Sequence, residues 1–590
     1  VKIPLVGQDY TSRSVAVSAQ DCINLFPALI DDPNEAAVAA TAVAAKSGKN
    51  KAVLYSTPGK HTIATMAVHL RGMWGGGGRL FVVLSNGNFC EISSTGVILS
   101  TNAIPAYTDN GLPAEIYSNG NQLLIVTAGL AYCDNGAGPV MCSTDNYSGT
   151  VNVFGFGVGW ASNIVDGAET SDQFNADGSW VGRTFNITIA GVITPFIVAG
   201  PGSTPPQPIP TATQLFLTTA PAVTSPPSYA YTAAGTPLTA IHGAVLDGTF
   251  FVQRPPSPGL GPTFPDLGRQ INFSAVLDGT SWSGLDFFQK EGSPDYTRCI
   301  TTDAEQLYVW GTEAFEVWQA DPNAAVGANP FVRLPGGMGR YGNVSGYCQD
   351  SLDGHVFFLG GDDRGQCVAY VLNGFTPVRI SNHAQEAAWN AALVAGAPPI
   401  SYAYQEEGHS FWVINFGAQT WAYEAETGAW HQRYKWVGGV FTLYDTNMHV
   451  FIPEWGAAGT HVTGWTNSAI ISNTSKAFGD DAGTDMAWQR ALPYIYNDGK
   501  WQYFGRMDLE MDTGAAGGAP IVTYDYSDDR GVTYKNPRTA LLSAPIDGSA
   551  VRVFWLRNGK SRGRVMRFTG TGQIPVTLID LDCDLVLGTV

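Results

Sequence analysis

The 590-residue chain carries 50 Asp and Glu against 32 Lys and Arg, a formal net charge of −18, with 44% hydrophobic and only 14% charged residues. This balance argues against a protein that grips nucleic acid, since affinity for phosphate comes from clustered Lys and Arg, yet it suits a surface past which DNA slides. The length exceeds one ordinary core unless that core repeats, and 69 Gly with 35 Pro point to an all-β chain rich in turns.

Much of the apolar surface must be covered, and oligomerisation is the simplest way to cover it. The eight cysteines (Cys22, Cys90, Cys133, Cys142, Cys299, Cys348, Cys367, Cys583) show no CxxC pair and no disulfide framework. Reduced thiols and assembly in a reducing cytoplasm are therefore expected. Val1–Tyr10 lacks the basic start and apolar core of a secretory leader, and the run Ala36–Ala45 is too short to span a bilayer.

In chain order, residues 1–53 read as an extended arm and loop, with Ala36–Ala45 either a short helix or a low-complexity loop. Residues 54–144 begin a β pattern: an apolar run, a turn, another apolar run. The turns are Asn86-Gly87 and Asn119-Gly120, and later Asp247-Gly248, Asp353-Gly354 and Asn373-Gly374. Asn-Gly and Asp-Gly suit the left-handed backbone of tight hairpins, and their repetition is the signal. Residues 145–237 lose charge and gain proline, which reads as an inserted β subdomain with Pro-rich connections. A rigid loop or lattice contact is its plainer role, and recognition of its prolines by a partner the alternative.

Residues 238–472 resume the pattern. Its clearest stretch is Ile400–Trp436, where runs at Ser401–Tyr404, Phe411–Phe416, Thr420–Tyr423 and Ala429–Tyr434 are parted by Glu407-Gly408, Gly417-Ala418 and Thr427-Gly428. Four short strands in about 35–40 residues is the size of one β-propeller blade. Its Trp412, Trp421 and Trp430 read as strand packing and not as a sugar platform. Residues 471–488 read as a loop. Residues 473–590 form a last β unit that either closes the propeller or builds a platform, with runs at Tyr503–Met511, Pro520–Tyr526, Val551–Leu556, Arg564–Thr569 and Val576–Leu587. The fold class is an all-β propeller of about six blades, five to seven being compatible, with an inserted β subdomain and β-rich terminal segments.

Few motifs carry chemistry. Ser527, Asp529, Gly531, Thr533 and Tyr534 match an Asp box, a hairpin whose side chains tie off a turn; its role is structural. Asp580, Asp582 and Asp584 alternate on one strand face about 7 Å apart. They offer a cation site or, more plainly, a solvated face, since no calcium-loop pattern completes them. Arg552, Arg557, Lys560, Arg562, Arg564 and Arg567 form the densest basic cluster, fit to dock an acidic subunit or adaptor or to touch DNA, or else scattered over outward positions. Asn558-Gly559-Lys560-Ser561 is not a phosphate loop, because Phe554 stands where its first glycine belongs. None of the nine histidines belongs to a metal-ligand motif, His409 and His431 included, and no nucleophile elbow or catalytic acid pair is evident. No enzyme activity, cofactor or resident metal is expected.

Several stretches resemble the tail nozzle, or packaged-DNA stabilisation, proteins of short-tailed phages. They are Tyr10–Pro27, Tyr55–Lys60, Leu277–Asp295, Leu307–Gln319, Leu352–Glu386, the blade around Trp421, and LEMDTG, SDDRGVTY and VFWLRNGKSRGRVMRFTG near the end. The resemblance implies a structural virion protein of the phage tail, assembled in the host cytoplasm. Six copies would form a ring below the head-tail adaptor that retains packaged DNA and opens a channel for its ejection. Its partners would be further copies in a homohexamer, the adaptor or a portal-proximal protein, tail fibre or needle proteins, and double-stranded DNA passing without specific binding. The lumen is expected to be net negative and the Arg552–Arg567 cluster to face a protein neighbour. The alternative is a glycan-binding or sialidase-like propeller of the phage tail that recognises a receptor.

Overall fold

A computed structural model describes residues 2–11, 18–30, 51–144, 147–154, 160–164, 184–189, 192–199, 214–217, 228–233, 236–256, 267–325, 329–361, 367–394, 396, 398–513, 520–542 and 551–588. The Ala36–Ala45 run and the Pro-rich connections lie outside these residues. Among the described residues, seven four-stranded antiparallel units, several of them parts of larger sheets, follow one another along the chain. Blades 1 to 6 are built from strands within residues 70–103, 115–141, 242–289, 297–339, 349–379 and 400–433. Blade 7 takes Met448–Ile452, Thr460–Gly464 and Ile470–Ser475 and completes itself with Gly59–Thr65. The inner strand of each blade lies beside that of the next, and Met448–Ile452 lies beside Leu70–Gly76, so the ring closes.

Turn chemistry explains the regularity. At Asp247-Gly248, Asp353-Gly354 and Glu407-Gly408 both central residues have positive φ, between 49° and 81°, as the tightest two-residue hairpins demand. Blade 6 occupies Ile400–Glu406, His409–Asn415, Thr420–Glu424 and Ala429–Arg433, close to the runs read from sequence. Trp412, Trp421 and Trp430 point toward blade 5 and share a core with Phe357, Leu359 and Trp389.

Three features depart from the sequence reading. The count is seven, at the top of the expected range, because the seventh blade is assembled from both ends of the propeller segment. Gly59–Thr65 closes the ring; the C-terminal unit does not. The stretch 471–488, read as a loop, holds most of Ile470–Ser475 and part of Thr484–Ala491, since its Ser, Asn and Thr residues find a ladder partner in the closing strand. The single α-helix of the described residues, His383–Val394, follows blade 5. Asn382 caps it, its Oδ1 accepting from Ala384 N and Gln385 N while Gln385 Oε1 accepts from Asn382 N, and Trp389 plugs it into the blade-6 core.

The closing strand is held by charge as well as by its ladder. Lys60 bonds the Asp445 carboxylate and sits 3.8 Å from Asp481, while Lys435 reaches the same two carboxylates at 2.7 and 3.7 Å. Burial opposes the Lys60 charge, but Tyr444, Asp445 and Asp481 outweigh it and hold its pKa above the ordinary value. Lys60→Met leaves two carboxylates to one lysine. It is expected to cost about 3 kcal/mol and to speed amide exchange in Gly59–Thr65 and Ile470–Ser475 ahead of the other blades; uniform exchange would contradict this.

The strands Tyr147–Phe154, Trp160–Ile164, Thr184–Ile189, Val192–Ala199, Gln214–Leu217 and Ser228–Ala233 form a closed six-stranded barrel. It joins blade 3 through a neck in which Ser143–Thr144 pairs Thr236–Pro237 and Thr144 pairs Trp282. The C-terminal unit is a β-sandwich. One sheet holds Thr484–Ala491, Gly563–Gly572, Ile521–Ser527 and Lys535–Leu541; the other holds Leu25–Ile30, Lys51–Ser56, Thr577–Leu587, Gln502–Asp512 and Val551–Trp555. Phe504, Met507, Leu509, Tyr524, Trp555, Met566, Phe568 and Leu581 fill the space between them.

The N-terminal arm stitches sandwich to propeller. Cys22–Ile23 inserts between the outer strand of blade 6 and Thr484–Ala491, making one continuous sheet. Asn24, at φ 54°, donates to Tyr434 O and Ala487 O and accepts from Tyr434 N. No disulfide joins the eight cysteines, all of which are buried.

Candidate functional site

Two regions bear on function: the cation cluster of the sandwich and the axis of the propeller. The strand Gly563–Gly572 carries Arg564 and Arg567 on its way through the first sheet; Arg564 turns into the sandwich, whereas Arg567, between the core residues Met566 and Phe568, lies half-buried on the opposite face, and both meet acidic partners. Arg564 is 1% exposed, bonds Asp528 at 2.9 Å and stacks 3.7 Å from the Tyr526 ring. Arg567 pairs with Asp525, at 2.9 Å through Nε, and lies 3.6 Å from the Tyr534 ring. Asp525 stands directly across from Arg567 in the ladder, and Asp528 follows the end of the same strand, within reach of Arg564. Both cations are engaged with carboxylates, Arg564 within the core, which sets these two apart from the other four of the predicted cluster.

The other four stay outside. Arg552 reaches Glu510 at 3.4 Å; Lys560 and Arg562 flank the Trp501 ring at 4.7 and 5.0 Å; Arg557 is exposed on a turn at φ 58°. Around them lie exposed Tyr503, Phe554, Leu556 and Val586, with Arg506 stacked on Phe554 at 4.4 Å. Cations on aromatic rings beside exposed apolar side chains have the composition of a protein-contact patch.

The same sheet face turns acidic further along. Asp580, Asp582 and Asp584 lie on Thr577–Leu587, with Asp582 opposite Asp508 and Asp580 opposite Glu510. Asp580 is taken by the Lys2 ammonium and Asp508 by Arg506 at 2.7 Å. The three aspartates do not converge on a common point among the described metal-ligating groups.

The Asp-box-like residues join Ile521–Ser527 to Lys535–Leu541, on the sandwich and not on a blade. Ser527 Oγ bonds Asp529 Oδ1 at 2.5 Å and accepts from Gly531 N at 2.7 Å, and Asp529 Oδ1 accepts from Thr533 N at 2.9 Å. Bonds from the Ser527 and Thr533 hydroxyls and from Thr533 N hold the Asp529 carboxyl well below the usual range. Gly531, at φ 93°, makes the bend, and Tyr534 lies under Arg567. The Ser527 and Asp529 side chains are engaged within the turn, as a structural hairpin requires.

Residues on or beside the inner strands of blades 2, 3, 5 and 6 meet in one cluster near the propeller axis. Glu115 on the inner strand of blade 2 accepts from Gly243 N and Tyr117 Oη and meets His242 Nδ1 at 2.6 Å. The segment 345–347 then reaches from blade 3 to blade 6. A Cβ on Gly346 would collide with the His242 ring, Tyr347 packs on that ring at 4.8 Å, and Tyr347 O accepts from Ser401 N at 2.8 Å. Burial pushes the Asp350 carboxyl, on the inner strand of blade 5, up to about 7. Sequence reasoning missed this cluster because its members come from four blades.

His431 is buried, and burial followed by Arg433 drives its pKa well down, so it is a neutral packing residue. Trp412, Trp421 and Trp430 are at most 3% exposed and offer no face to a sugar.

Comparison with known proteins follows the same division of the chain. A family model described as the β-propeller of bacteriophage P22 Gp10 matches residues 263–464, and one described as the β-sandwich of the same protein matches 487–585. Blades 1 and 2 and the barrel precede the matched segments. No curated protein matches. Among solved structures, a computationally designed protein, Ika8, is similar at 9% identity and a TM-score of 0.32, covering 70% of this chain and 100% of its own. The Pan2 WD40 domain of Neurospora crassa is similar at 6% identity and a TM-score of 0.36, covering 70% and 94%. Neither likeness is close enough to carry an argument. The two family matches together span just over half of the sequence and fall on the two domains their descriptions name, and the chain belongs to the family of bacteriophage P22 Gp10, structural proteins of the tail of short-tailed phages that stabilise packaged DNA.

Proposed function

We propose that six copies form a ring below the head-tail adaptor, and that packaged DNA is retained by, and leaves through, the space the copies enclose. The observation that carries this reading is the cluster of Glu115, His242 and Gly346–Tyr347, which bridges the inner ends of blades on different sides of the ring. A propeller bridged in this way is a poor passage for DNA, and the conduit in this reading lies between copies. The net charge of −18 supports it, because a lumen lined by acidic or neutral groups lets a polyanion slide where basic groups would bind it. Assembly takes place in the host cytoplasm, and fibre or needle proteins attach outside the conduit.

In this reading Arg552, Arg557, Lys560 and Arg562 dock on a neighbouring subunit or the adaptor and do not line the lumen. Lys560→Glu combined with Arg562→Glu is expected to leave a folded chain that fails to assemble, by at least a tenfold weaker association and a loss of its salt dependence. Sedimentation velocity on the purified protein measures this. Unchanged assembly, together with weaker DNA retention in particles, would place the cluster on the DNA path instead.

A further inference from the structure

Blade 6 gathers three metal-ligating groups that are separate in sequence. Thr420–Glu424 and Ala429–Arg433 are joined by a turn, and Glu424 at its start is wholly buried. One oxygen of its carboxylate, Oε2, accepts from Thr427 N at 2.7 Å and from the Thr427 hydroxyl. The other, Oε1, faces His409 Nδ1 at 3.2 Å. Glu426, 51% exposed, brings Oε2 to 3.7 Å from the same nitrogen. All three ligand atoms lie within 4.8 Å of one another, and among the described residues no other such trio occurs.

The charge around them is unbalanced. Two carboxylates share one imidazole, and among the described residues no Lys or Arg pairs with either. The nearby ammonium of Lys476 is engaged with Glu407 at 3.3 Å and lies over the Phe26 and Tyr55 rings. A buried carboxylate without a permanent counter-charge is costly, and a cation removes that cost.

We propose that His409 Nδ1, Glu424 Oε1 and Glu426 Oε2 hold a divalent ion of the zinc class, with water completing its coordination on the solvent side. Ligand atoms around tetrahedral zinc stand about 3.3 Å apart, close to the 3.2 and 3.7 Å that separate His409 Nδ1 from the two carboxylate oxygens. One nitrogen and two carboxylate oxygens suit zinc. The two Thr427 donors fix the inner carboxylate from behind, as outer-shell partners of metal ligands do. Binding at Nδ1 takes the imidazole form in which Nδ1 is the unprotonated nitrogen. The His409 ring packs edge-on against Phe26, of the sandwich strand Leu25–Ile30, at 5.1 Å. An ion here therefore braces the seam between blade 6 and the sandwich.

Calorimetric titration of the metal-free full chain with zinc chloride, paired with thermal melts, tests the site. One equivalent should bind per chain, with a higher melting temperature. Glu426→Gln, at a half-exposed position that leaves packing intact, should weaken binding at least tenfold, and His409→Asn should abolish it. No saturable binding to the wild type, or binding that Glu426→Gln leaves unchanged, overturns the proposal.

Discussion

Trp430→Ala is expected to destabilise the chain by about 3–5 kcal/mol, the usual cost of emptying a large buried aromatic site. The indole is 1% exposed, donates to Ile380 O at 2.8 Å, and packs at 5.1 Å against both Trp389 and Tyr423. Removing it opens the junction of blade 5, blade 6 and the helix His383–Val394, where little can move in. Trp430→Phe keeps most of the volume and loses the hydrogen bond, so about 1 kcal/mol is expected from the bond alone. Trp421→Ala, in the same core, should also impair folding or assembly. Urea unfolding of the three variants checks the order. An alanine variant of normal stability that had lost a sugar ligand would return the glycan reading to favour.

Asp9→Asn should make the protein more stable at alkaline pH, by about 6 kcal/mol at most. Asp9 is wholly buried where the N-terminal arm crosses between blade 6 and the sandwich. Its Oδ2 accepts from Cys22 N at 3.0 Å and Gln432 Nε2 at 3.1 Å, while Oδ1 has no partner. Burial, and then the neighbouring Asp21, push its carboxyl from 3.8 up to about 8; Arg490 offsets this only in small part. The native state therefore holds this proton more tightly than the unfolded chain does. Stability falls as pH rises from about 4 to about 8, and the loss is complete above that. Asparagine keeps an acceptor for Cys22 N and cannot ionise. The gap between variant and wild type should be widest at pH 9 and close on acidification toward pH 4. Parallel profiles for the two proteins would mean that the seam tolerates the charge.

What could be read from the sequence was local. Blade 6 lay in plain sight because its strands, its positive-φ turns at Glu407-Gly408 and Gly428, and its three tryptophans are consecutive. Blade 7 did not, because Ile470–Ser475 finds its fourth strand more than 400 residues earlier, at Gly59–Thr65, and polar side chains hide the alternation. The helix at His383 had a legible signal, Asn382 followed three residues later by Gln385 ahead of an alanine-rich run, which the surrounding β pattern obscured. Strand direction divided the basic cluster: Arg564 and Arg567 share a strand with core residues and meet carboxylates, whereas Lys560 and Arg562 flank an exposed edge. The groups at the propeller axis and the trio at His409 come from separate strands, and spacing along one chain cannot bring them together.

The account turns on where DNA passes. Electron cryo-microscopy of the purified oligomer, and of tails still holding DNA, shows this directly. The expected result is a sixfold ring whose DNA density runs between copies, with each propeller bridged at His242 and Tyr347 and the Lys560–Arg562 edge against a protein neighbour. DNA density threading a propeller axis, or the protein found as fibres or on the capsid surface, would contradict it.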